Sequence, residues 1–92
     1  MTHPEPHPHA GKAVRLTRLS EDWREPSVVA TVEDWADRIG MPWYLRMTPA
    51  SLTYMARVVA SDLPVDSEVV YVKASGLGYF VHDSEIAQEV TP

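Results

Sequence analysis

The sequence contains no cysteine, which removes disulfides, thiolate nucleophiles and Cys-ligated zinc or iron–sulfur sites together. A cytoplasmic setting is the reading that follows. Asparagine is missing too, so there is no N-glycosylation acceptor, and turns fall to Gly, Pro, Asp and Ser. Nowhere do apolar residues run for the roughly 18 positions that a membrane span needs, and the first residues lack the charged-then-apolar pattern of a secretory signal. Neither export nor membrane insertion is expected. Bases are scarce where it matters most: residues 62–92 hold six acids against Lys73 alone, whereas residues 1–61 carry seven of each sign. The net charge of −5 therefore lies in the C-terminal third. That region repels a phosphate backbone and disfavours nucleic acid as a partner.

What is present suits one small domain. The 92 residues leave room for a single core, and 45% apolar with 23% charged residues is an ordinary globular balance. Residues 1–10, Met-Thr-His-Pro-Glu-Pro-His-Pro-His-Ala, have no large apolar group after Met1 to offset the entropy of ordering. They read as a flexible tail ahead of one α+β domain over 11–92. Lys12 to Leu19 alternates like a half-buried edge strand. Ser27 to Val32 is β-branched and reads as a short strand. Thr31, Glu33, Asp34 and Gly40 signpost a helix over about 32–39; the rival is one helix starting near Ser27, on the spacing of Val28, Val32, Trp35 and Ile39.

Thr48-Pro49 supplies an N-cap and a first-turn proline for a second helix ending before Pro64, with Leu52, Met55, Val59 and Leu63 as its apolar face. Glu68 to Ala74 and Tyr79 to His82, separated by Ser75-Gly76-Leu77-Gly78, form a hairpin. A last short helix, capped by Asp83 or Ser84, carries Ile86, Ala87 and Val90. The sum is a small antiparallel or mixed sheet with a hairpin in the C-terminal half and two to three short helices on one face.

Chemistry has few footholds. Outside the tail, His82 is the one histidine, and neighbouring Asp83 is expected on the opposite face of a strand, poorly placed to orient it. An enzyme built on His82 is the third-ranked function. Glu33, Asp34 and Asp37 read as a solvated helix face rather than an acid/base pair. Ser75-Gly76-Leu77-Gly78 leads into a strand, not a helix, and is a turn rather than a phosphate loop. His3, His7 and His9 offer exposed transition-metal affinity at most, so neither a metal nor a cofactor is assigned.

Binding has more. All three tryptophans fall within residues 23–43. Trp35 reads as core. Met41, Trp43, Tyr44, Arg46 and Met47 gather the residue types enriched at interface hot spots, and Trp23, between Asp22 and Arg24, joins them as a candidate contact; a core role for Trp43 and Trp23 is the competing reading. The leading expectation is a non-enzymatic accessory, regulatory or inhibitory domain that docks on a protein partner, with self-association also open. The runner-up is a winged-helix-like nucleic-acid regulator using Arg57, Lys73 and the cationic strand Lys12, Arg15 and Arg18.

Overall fold

The computed structural model describes residues 5–16, 28–39 and 42–90; the expected contacts Trp23 and Met41, like Arg18, lie outside them. The described residues form a mixed α+β structure. Strands β1 (Ala13–Leu16), β2 (Val28–Trp35), β3 (Val69–Ala74), β4 (Leu77–His82) and β5 (Ile86–Glu89) make one antiparallel sheet in the order β4-β3-β2-β1-β5. One α-helix, α1 (Pro49–Ser61), lies between β2 and β3 in sequence. Among the described residues no helix is long and apolar enough to cross a membrane.

The sheet has to curl. β4 and β5 occupy opposite edges, which a flat sheet would hold about 19 Å apart. Yet only the 3₁₀ turn Asp83–Glu85 joins them, and that much chain spans at most about 14 Å. Two bulges help it bend: the register shifts between Val32 and Asp34 on β2, and Ala87 is the extra residue where β5 meets Arg15 and Leu16. Inside the curl, Val14, Leu16, Val32, Val70, Val72 and Val81 form the first core. A second core lies on the outer face of the β3–β4 hairpin, where Trp43, Tyr54, Leu63, Val69 and Phe80 are enclosed by α1.

Three expectations change. The helix expected over 32–39 is instead the end of β2 followed by a 3₁₀ turn, Ala36–Ile39. Val28, Ala30 and Val32 alternate inward, and the bulge at Glu33 then shifts the parity so that Trp35 is the next inward residue. The helix expected after Asp83 is one 3₁₀ turn and strand β5, because β1 offers an open edge that outcompetes a short isolated helix. The second helix forms over Pro49–Ser61, with Thr48 and Ser51 exchanging the two hydrogen bonds of a capping box; of its expected apolar set Leu63 joins the second core and Met55 packs against it, but the buried face is otherwise different. Ser51, Tyr54 and Arg57 are buried, with Val58 partly so, while Leu52 and Val59 face solvent, Val59 at 82% exposure.

Residues 5–10, the described part of the segment read from composition as a tail, follow a defined course over the sheet together with Gly11 and Lys12. Gly11 N–H donates to Val32 O at 2.7 Å and Val32 N–H to Lys12 O at 3.0 Å, continuing the β1–β2 ladder. His7 is 3% exposed, its ring edge-on to Trp35 at a centroid distance of 4.6 Å. Its Nδ1 accepts from His9 N–H, which leaves Nε2–H to donate to Asp83 Oδ1 at 2.7 Å. Polar side chains supply the ordering that the composition does not offer as apolar burial.

Candidate functional site

Aromatic residues placed by the hairpin register build the main concavity. Tyr71 and Phe80 are cross-strand partners with rings T-shaped at 5.6 Å, and Trp43 continues the stack at 6.1 Å from Phe80. Gly78 has a specific reason to be glycine: a Cβ there would stand 2.1 Å from the Tyr71 hydroxyl and 2.6 Å from its ring. The phenol therefore lies across the strand. Beyond it, Thr48, Pro49, Ala50 and Thr53, at the N-terminal end of α1, form the facing wall. The result is a groove of about 570 Å³ between α1 and β4, running from Leu77 to Phe80 and lined mainly by apolar surface.

Arg46 is the charged side chain of the lining. It donates to Ala36 O and lies over the Phe80 ring at 5.7 Å, so its guanidinium is positioned rather than free-swinging. Around it the expected contact segment separates by role. Tyr44 and Met47 are exposed, Met47 at 70%, and so is the intervening Leu45, which sequence reasoning passed over. Trp43 is corrected to a core residue. It is fully buried, with its N–H donating to Asp37 Oδ1 at 2.7 Å, its indole Nε1–H to Asp66 O at 3.2 Å, and its ring packed edge-on against Tyr54 at 4.8 Å. Asp37, expected on a solvated helix face, is buried as the acceptor that holds it.

A second cluster surrounds the 3₁₀ turn. His82 Nδ1 accepts from Ser84 N–H at 3.1 Å and contacts Ser84 Oγ at 2.8 Å, while Nε2 meets Asp66 Oδ1 at 3.0 Å. The carboxylate beside His82 is thus Asp66, not Asp83. Serine, imidazole and carboxylate stand in hydrogen-bond order, but the Nδ1 that would take a serine proton already accepts a backbone N–H, and none of the three lines the groove. The arrangement caps the turn. Beneath it Glu85, fully buried, accepts from both guanidinium nitrogens of Arg57 and from His82 N–H at 2.7 Å. Arg57, the residue expected to read nucleic acid, is spent on this ion pair. The helix pair of a winged-helix arrangement is not formed either, since residues 32–35 are strand.

Among the described residues no three metal-ligating side chains converge; His7 and His9 are engaged by Asp83 and Glu89. No family model matches the chain, and neither the curated proteins nor the solved structures provide a match.

Proposed function

We propose that this chain is a non-enzymatic docking domain, an accessory or regulatory protein that holds a protein partner in the groove between α1 and β4. The observation that carries this reading is the groove itself, apolar and of ligand-binding size, with the exposed Leu77 in its lining. Leu77 lines it directly, and Tyr44, Leu45, Met47 and Leu52 each lie within two residues of a lining position. Aromatic rings beside a positioned arginine are the residue types enriched at binding hot spots. Reading nucleic acid is less well supported, because Arg57 is committed to Glu85, Lys12 is 3.2 Å from Glu89 and Lys73 is 3.6 Å from Glu33.

The test blocks the groove without touching either core. Thr53 is exposed on the groove wall, and Thr53→Trp fills the space; Val29→Trp, on an exposed position of β2, is the control. Wild type and Val29→Trp are expected to retain the same protein from lysate of the source cell, and Thr53→Trp to lose it with an unchanged circular dichroism spectrum. Equal retention by all three proteins would sink the groove as the docking surface.

A further inference from the structure

Resting on that docking reading, we infer that the occupant of the groove is an extended, acidic segment of the partner, added to the free edge of β4 as a sixth strand. The hairpin register decides which backbone groups are on offer. Ser75 and Gly76, with φ of 54° and 80°, make a two-residue turn, so Ala74 and Leu77 are a hydrogen-bonded pair. Residues 77, 79 and 81 then direct N–H and C=O at β3, while Gly78 and Phe80 direct theirs outward. Among the described residues these outward groups have no partner. The series ends at His82, whose N–H is taken by Glu85.

Edge strands are ordinarily blunted by charge, proline, a bulge or brevity. β4 has none of these: it reads Leu-Gly-Tyr-Phe-Val-His and pairs with β3 without a register shift. The opposite edge differs, since β5 is four residues long, bulged at Ala87 and charged at Glu89. A strand laid along Gly78–Phe80 sends alternate side chains into the groove, over Tyr71 and Phe80, and the volume there suits apolar groups.

Charge selects the acidic segment. Among the described residues Arg46 lines the groove and no carboxylate does. The positive end of the α1 dipole opens into the same space at Pro49 and Ala50, while Lys73, opposite Gly78 in register, is exposed but shares its charge with Glu33 at 3.6 Å. In a chain of net charge −5 this is locally positive ground.

The experiment pans a displayed library of short random peptides against the full chain, with Thr53→Trp as counter-selection, and then follows amide exchange in isotope-labelled protein with each winner. Winners are expected to alternate apolar and polar residues and carry Asp or Glu. They should slow exchange at Gly78 and Phe80 by about tenfold or more, as backbone pairing requires. Replacing their acids with lysine should weaken binding by about tenfold. Basic or helically spaced winners, no winners at all, or winners that leave both amides exchanging freely overturn strand addition. If Thr53→Trp still loses its lysate partner, the docking reading survives that failure. Protection of both amides without peptide, with a dimer's mass in light scattering, assigns the edge to a second copy and overturns the proposal as well.

Discussion

Glu85 is the side chain that joins the last turn of the chain to the helix. It is fully buried, and its oxygens serve Arg57 from α1 and the His82 N–H of β4. Truncation leaves a guanidinium with no solvent to replace the carboxylate, so Glu85→Ala is expected to cost about 3–5 kcal/mol in urea unfolding. Adding Arg57→Met should recover much of that loss, because the unpaired charge is then gone. Trp43 teaches a related lesson. Its neighbours Tyr44, Arg46 and Met47 share its hot-spot composition, but composition does not tell which way a ring points. The acceptors that fix it, Asp37 Oδ1 and Asp66 O, come from segments no local pattern connects to it.

At the scale of elements, α1 has two candidate apolar faces about a quarter-turn apart, and the fold buries the less apolar one. Tyr54 meets Trp43, and Arg57 meets Glu85. Val59→Lys is therefore expected to change stability by less than about 0.5 kcal/mol. Tyr54→Ala should cost about 3–5 kcal/mol in the same thermal or urea assay. The helix, its cap and the β3–β4 hairpin were legible because each has a local signal: Thr48-Pro49, and Ser75-Gly76 between β-rich runs. β2 and β5 were not. The bulge at Glu33 places Trp35 three residues after inward-facing Val32, a helical spacing, and the cap signal read at Asp83 or Ser84 belongs to a single turn capped by His82 and Glu85 before β1 recruits the chain. The groove lay partly in view through Arg46, whereas Gly78, Tyr71 and Ala50 meet only through tertiary packing.

For the molecule as a whole, the N-terminal segment is fastened by imidazole–carboxylate pairs rather than apolar burial. His9 Nδ1 lies 2.6 Å from Glu89 and Lys12 3.2 Å from the same oxygen. Hydrogen bonds from His9 first and Lys12 second hold the Glu89 carboxyl below its usual value of 4.5. A depressed carboxyl favours the folded state fully above its ordinary pKa and loses that contribution as pH falls through the lowered value. Acidification below about pH 4.5 is thus expected to lower the protection factor of the Gly11 amide before the sheet unfolds, and Glu89→Gln to abolish that step, both read by NMR. The sheet order has another consequence. Among the described strands β1 comes first in sequence and β5 last, yet they are neighbours. β1 therefore keeps one edge open until β5 docks, and because this pairing has the largest sequence separation in the described sheet, closing it is expected to be among the slowest steps of folding.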